Sequence, residues 1–308
     1  MPTPSDTPPA QQWEARPTGR KRSIFGNFRD GGEAEGDAIL PDEISAPTSE
    51  SEALPRDLDA AMARAFIYQF LARAFADPDA ETWAWLGESE NRQSFWAAVK
   101  TLADEPVEAA ALTCVRGLTP DAFDAFLDDY VAAFGHAARG SVAMNEIEYG
   151  DLKADPLFQP HRLADLAAFY RAFGLEVDDA AAERHDHLCI ELEFMSVLAA
   201  KEAYAIQQNL DAEPLAIVRD AQRDFLREHL GRWSPAFGRR LRAATVGPLA
   251  ALGDFLRTFV EADCARAGVR AGSEDLLLRP VDESSERLCE SCGIHNLPPG
   301  ALTGGPAI

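Results

Sequence analysis

Apolar residues recur at helical spacing through most of this chain, and no segment alternates in the manner of a strand. The clearest case begins at Thr119-Pro120, where a capping residue precedes a proline suited to the first helical position. Phe123, Phe126, Leu127, Tyr130, Val131 and Phe134 then line one face, Asp121, Asp124, Asp128 and Asp129 take the other, and Gly135 closes the segment. A second pattern starts at Pro160, carries Leu163, Leu166, Ala167, Tyr170 and Phe173, and stops at Gly174. A third runs from Asp186 to about Gln208 and is apolar on two faces. Leu188, Leu192, Met195 and Ala199 form one stripe, and Ile190, Phe194, Val197 and Leu198 form another. A helix with so little polar surface belongs near the centre of a fold.

Further helices are expected around Leu58 to Phe75, over Trp83 to Leu86, Phe95 to Leu102 and Pro106 to Val115, and along Leu215, Val218, Phe225 and Leu226 as far as Gly231. Ser234-Pro235 repeats the start signal of a cap followed by proline, and Leu249, Leu252, Phe255, Leu256 and Phe259 mark the last helix. The expected fold class is all-α, a single multi-helix domain of roughly nine to eleven helices. No repeat of solenoid length is present.

Composition sets the boundaries. Residues 1–54 are rich in Pro, Ser, Gly and acids, with no Lys or Arg between Asp30 and Glu52, and read as a disordered arm. Residues 55–268 carry the helical domain. Residues 269–308 read as a flexible tail with one apolar patch at Leu276-Leu277-Leu278. The formal net charge is -22. Such a surface repels nucleic-acid phosphates and anionic lipid, which argues against either as a partner. It either serves solubility alone or also draws in a basic peptide. No apolar stretch follows Arg20-Lys21-Arg22, so neither an export signal nor a membrane segment is expected. Five cysteines, an odd number, suit a reducing, cytoplasmic setting.

Three clusters invite a chemical reading. Glu183-Arg184-His185-Asp186-His187 directly precedes the central helix. Asp186 is placed to cap that helix, and His187 falls in its first turn, where the dipole disfavours a protonated ring. His185 and His187 do not make a metal site by themselves. Trp233-Ser234-Pro235-Ala236-Phe237 reads as an aromatic staple between two helices. In the tail, Cys289, Cys292 and His295 supply part of a zinc or iron-sulfur site or a redox pair, with Cys264 the nearest fourth ligand. That arrangement supports an alternative function, metal binding or redox sensing. Cys114, Cys189 and Cys264 fall within helical patterns as small core residues. There is no P-loop, dinucleotide fingerprint or nucleophile elbow, so no enzyme is expected.

Taken in order, these segments resemble the TorD/DmsD/NarJ family of chaperones that mature molybdenum redox enzymes. Glu183, Asp186 and His187 match the family's Glu-x-Pro-Asp-His motif, with His185 in the place of proline. Ile190 to Met195 is similar to its Glu-Leu-x-Phe-Met helix, and Asp129 to Gly135 to its Tyr-x-x-Leu-Phe-Gly segment, with Ala133 for leucine. Glu146-Ile147-Glu148-Tyr149-Gly150 resembles the loop that follows, and His229 to Phe237 the His-Leu-x-x-Trp-x-Pro-x-Phe stretch. The likeness spans about Pro55 to Glu261 and is greatest to the branch serving type II enzymes of the dimethyl-sulfoxide-reductase family.

The resemblance implies a cytoplasmic, non-catalytic chaperone that holds no cofactor permanently. Its partners would be a molybdopterin-containing catalytic subunit and that subunit's twin-arginine signal peptide. It also implies that Glu183, Asp186 and His187 bind the signal peptide. A receptor for such a peptide needs carboxylates for guanidinium groups and an apolar groove. Glu146, Glu148, Glu183 and Asp186 are candidates for the first and Tyr149 for the second; otherwise Glu146 and Glu148 are plain surface acids.

Overall fold

A computed structural model describes residues 49–135, 142–150, 158–178 and 183–279. Among them run ten α-helices: α1 (Ser49–Ala74), α2 (Ala80–Gly87), α3 (Ser89–Leu102), α4 (Glu105–Gly117), α5 (Phe123–Phe134), α6 (Phe158–Ala172), α7 (Leu188–Gln207), α8 (Ala212–Glu228), α9 (Leu230–Ala244) and α10 (Gly247–Arg266). Single 3-10 turns lie at Pro120–Ala122 and Glu146–Glu148. No strand longer than an isolated bridge occurs among the described residues. The all-α expectation holds. The acidic arm as far as residue 48, the Cys289/Cys292/His295 cluster and the rest of the tail beyond residue 279 lie outside the described residues.

The helix with two apolar faces takes the position its composition demands. α7 packs along α1 and against α8, while α10 packs against α9 and α4. Leu188, Ile190, Leu192, Phe194, Met195 and Leu198 of α7 are fully buried, and so are Ile67, Tyr68, Phe70 and Leu71 of α1. Where α9 crosses α10 the backbones meet closely. A Cβ on Gly238 would stand 2.6 Å from the Gly253 carbonyl oxygen, so a larger residue there would push the helices apart.

One buried ion cluster ties four helices together. Arg64 of α1 pairs with Glu202 of α7, donates to Gln222 Oε1 of α8 (2.6 Å) and lies 3.7 Å from Asp263 of α10. Tyr68 donates to the same Asp263 at 2.7 Å. Arg219 and Arg266 at the mouth of the adjoining cleft face Glu202 and Asp263 in turn, so the charges neutralise one another.

Several helix starts differ from the sequence expectation. Thr119 makes no side-chain capping bond, and α5 begins only at Phe123, after a 3-10 turn. α6 begins at Phe158, before Pro160. Two further starts bear on the site. α9 begins at Leu230, so Trp233 to Phe237 lies inside a helix and Ser234-Pro235 does not start one. His229 both ends α8 and caps α9. An interior proline has no N–H to give the carbonyl four residues back. Here that carbonyl, on Gly231, accepts the Gly272 amide instead, at 2.9 Å. Gly272 belongs to residues 269–279, which composition assigned to a flexible tail. They fold back over α9, with Arg240 donating to the Leu276 carbonyl (3.1 Å) and Arg239 paired with Asp275. A side chain at 272 would collide with the Arg232 carbonyl, which explains the glycine.

The second shift is at α7, which starts two residues after Asp186. His187 is the N-cap, its Nδ1 accepting the Cys189 amide at 3.3 Å. The aromatic segment is buried packing, as expected, but from within one helix: Trp233 packs on Tyr149 and Phe237, and Phe237 on Phe75 and Phe134.

Candidate functional site

The segment before Gly150 and the turn before α7 are adjacent. Asn145 and His187 form an antiparallel bridge. The Glu146 amide donates to the Asp186 carbonyl (2.9 Å), and the Leu188 amide donates to the Met144 carbonyl (2.8 Å). The Asp186 carboxylate accepts from the Ile147 amide (3.1 Å) and the Asn145 side chain (3.3 Å), and takes a two-pronged contact from Arg184 at 3.0 and 3.1 Å. It caps the neighbouring loop and not its own helix, which corrects the sequence expectation. The turn itself closes with a bond from the His187 amide to the Arg184 carbonyl (3.0 Å). Tyr170 of α6 donates to the His185 carbonyl at 2.7 Å. That bond fixes the position where the family motif has proline.

Beneath this turn lies a second buried ion cluster, centred on Glu146. Its Oε1 accepts from Arg232 Nη2 (3.0 Å) and Nε (3.2 Å) and lies 3.5 Å from Arg162, while its Oε2 meets His229 Nδ1 at 2.9 Å. Burial alone would push the Glu146 carboxyl up, but the His229 hydrogen bond and the surrounding positive groups outweigh it and hold the group below its ordinary range. Next to it Glu191, in the first turn of α7, goes the other way. Burial, and then repulsion from Glu146, push its carboxyl well above the ordinary range. Trp233 Nε1 donates to Glu191 Oε2 at 3.0 Å. Burial lowers the tendency of His187 to protonate, consistent with a neutral ring whose Nδ1 accepts a hydrogen bond.

Of the candidate residues, Glu146, Tyr149, Asp186 and His187 come together in this one structure, with Glu183 at its edge. Glu146, Tyr149 and Asp186 expose 0% of their surface. The Tyr149 hydroxyl donates to the Ala143 carbonyl (2.8 Å), and both carboxylates already hold guanidinium groups of this chain. Glu146 is therefore no plain surface acid. The groups that reach solvent are half-buried Glu183, Glu148 and His187 and exposed Arg184 and His185.

His229, Arg232, Arg162 and Glu191 are members of the cluster that sequence reasoning did not single out. Glu191 carried a signal, as a charge within the apolar first turns of α7, shared there with Glu193. His229 and Arg232 stood in the motif already quoted, where the aromatics drew the attention.

No group of three or more His, Cys, Asp or Glu that would hold a metal occurs among the described residues. Cys264, the expected fourth ligand for a tail site, is fully buried in α10, and burial pushes its thiol up to about 12. A thiol so placed is a core residue and not an available ligand. Cys114 and Cys189 are likewise buried, and neither is in a disulfide. No helix among the described residues is long and apolar enough to cross a membrane.

Comparison with known proteins gives a consistent result. The nitrate reductase delta subunit family matches residues 100–239, which include the whole of the Glu146 cluster. The selenate reductase assembly chaperone protein of Thauera selenatis is 33% identical over 66% of this chain and 89% of that protein. The perchlorate reductase assembly chaperone protein of Dechloromonas aromatica is 32% identical over 70% of this chain and 94% of its own length. The dimethyl sulfide dehydrogenase assembly chaperone protein of Rhodovulum sulfidophilum is 33% identical over 60% and 70%. No solved structure matches. With an all-helical fold, the motif loops joined at one buried cluster and relatives aligned over nearly their full length, the chain belongs to the TorD/NarJ-type family of molybdoenzyme assembly chaperones.

Proposed function

We propose that this protein is a system-specific, non-catalytic chaperone. It binds the molybdopterin-containing catalytic subunit of a dimethyl-sulfoxide-reductase-family enzyme in the cytoplasm, before export. The observation that carries this reading is the similarity to the selenate and perchlorate reductase assembly chaperones across 89% and 94% of their lengths. Bound to that subunit, the protein assists insertion of the cofactor and shields the twin-arginine signal peptide.

The turn at residues 183–187 is the proposed contact. Glu183 and His187, with Glu148 across the loop, are the groups of the motif region that are partly exposed, and Glu148 lies 3.7 Å from Arg184 of the same turn. Glu146, Asp186 and Tyr149 act from beneath, by fixing the loop that presents them. A carboxylate beside an arginine head group forms a charge-assisted hydrogen bond, and the net charge of -22 favours the encounter.

The test is co-purification of the chain with a molybdopterin subunit that carries its signal peptide, together with deletion of the gene. The expected result is a stable complex, and an enzyme that lacks cofactor when the chaperone is missing. An enzyme fully loaded with cofactor in the deletion strain would overturn the reading.

A further inference from the structure

Residues 276–279 are paired with the candidate site in the manner of a strand. Tyr149 and Leu278 form an antiparallel bridge. The Gly150 amide donates to the Leu277 carbonyl (3.0 Å), and the Arg279 amide donates to the Glu148 carbonyl (2.9 Å). The same short loop bridges to His187 on its other side, so it lies between the proposed recognition turn and the chain's own returning segment. The side chains alternate as in a strand: Leu276 and Leu278 pack on the core, while Leu277 is 57% exposed. Arg279 follows them, and its guanidinium lies beside Gly150.

Part of what holds this segment down is at the surface. Arg239 pairs with Asp275, and Arg257 reaches Glu274 at 3.0 Å. Arg239 is 52% exposed and Asp275 80%, so this pair is weak. Further anchors are the Gly272 amide on the Gly231 carbonyl, the bond that Pro235 makes available, the Arg240 guanidinium on the Leu276 carbonyl (3.1 Å) and the packing of Leu276 and Leu278.

We propose that the edge formed by residues 148–150 is a strand acceptor for an extended client peptide of apolar and arginine side chains, and that residues 276–279 occupy it until such a peptide displaces them. The Gly150 amide belongs to a buried residue and needs a partner in either state, and the Glu148 carbonyl accepts beside it. A peptide adding as a strand returns both bonds and refills the leucine positions with its own apolar residues, while the surface pairs, the Arg240 bond to Leu276 and the Gly272 bond to Gly231 are given up. The leucines and arginine of the resident segment show the side-chain chemistry that the edge accepts. It is also the chemistry of a twin-arginine signal peptide, an arginine head beside an apolar run. The inference rests on the reading of this chain as a binder of that peptide.

The experiment uses the full-length chain and a synthetic peptide with paired arginines followed by a leucine-rich run. Hydrogen exchange is measured with and without peptide, and affinity by fluorescence anisotropy. On binding, the Gly272 and Arg279 amides are expected to lose protection while the Gly150 amide keeps it, because only Gly150 gains a new acceptor. Gly272→Ala should tighten peptide binding about tenfold by releasing the resident segment in advance. The paired change Glu274→Gln and Asp275→Asn should act in the same direction without touching the core.

Peptide binding with Gly272 and Arg279 still protected, and with affinity unchanged in the variants, would overturn the strand exchange and leave peptide recognition standing. Failure of every variant to bind the peptide would remove both. Co-purification with the whole catalytic subunit would then still decide the chaperone reading separately.

Discussion

Glu146 and Glu191 are neighbouring buried carboxyls whose hold on a proton is shifted in opposite directions. Glu146 is ionised, surrounded by His229, Arg232 and Arg162. Glu191 is buried, accepts one hydrogen bond from Trp233 and feels the charge of Glu146, so its carboxyl is pushed well above the ordinary range. One negative charge at the junction of α6, α7 and α9 is balanced, and a second is disfavoured.

Removing the balanced charge should be costly. Glu146→Gln keeps the shape but leaves Arg232 and Arg162 facing a neutral group. Breaking a buried ion pair by removing one partner costs about 3–5 kcal/mol. Urea unfolding of the variant should show a loss of that size, and a change below 1 kcal/mol would mean that the cluster contributes little.

Glu191→Gln should act in a pH-dependent way. The unfolded chain ionises this carboxyl near its ordinary value of 4.5, while the folded chain holds the proton to higher pH, so the native state loses stability as pH rises above that value. The amide removes this linkage and keeps an acceptor for Trp233. The thermal midpoint of the variant should exceed that of the parent at pH 8, and the gap should shrink towards pH 4. Glu146 has the opposite dependence. Its lowered folded value makes its contribution present above 4.5 and lost as pH falls through the folded value. An offset that is the same at all pH values would contradict this assignment.

Gly238→Ala should separate α9 from α10. The new Cβ would meet the Gly253 carbonyl at 2.6 Å, and backbone cannot swing aside as a side chain does. Overpacking of this kind costs about 1–3 kcal/mol. Chemical denaturation gives the value directly, and full stability in the variant would show that the helices re-space without strain.

Glu183→Gln and Asp186→Asn should distinguish presenting from supporting residues. Glu183 lies at the edge of the turn, so its loss should leave stability within about 0.5 kcal/mol of the parent while reducing the client subunit recovered on co-purification. Asp186 holds the Ile147 amide, Asn145 and Arg184 together. Its neutralisation should cost about 1–3 kcal/mol and reduce recovery as well. Equal stability losses in the two variants would contradict the division of roles.

Most helices were legible because the face that a helix buries is written every three or four residues. The pattern from Phe123 to Phe134 and the two stripes of α7 needed no knowledge of their partners. Where local signals misled, a distant group had intervened. Ser234-Pro235 has the composition of a helix start, yet the helix runs through it because Gly272, far along the chain, supplies the amide that Pro235 lacks. Asp186 has the composition of a helix cap, yet its carboxylate serves the loop containing Ile147, which approaches from 39 residues away.

By itself, then, the sequence determined the all-helical class, the central place of α7, the burial of the aromatic segment and the membership of Glu146, Tyr149, Asp186 and His187 in one motif set. These follow from local periodicity and from motif order. Only the tertiary structure decided that Glu146 is a buried hub, that the Glu191 carboxyl beside it is pushed above its ordinary range and that residues 269–279 return to lie against the loop at 148–150. The pairing of Glu146 with His229 spans 83 residues. Whether a carboxylate is ionised, and whether a segment rich in surface residues docks, depends on the groups that folding brings beside it. A single stretch of sequence does not contain those neighbours.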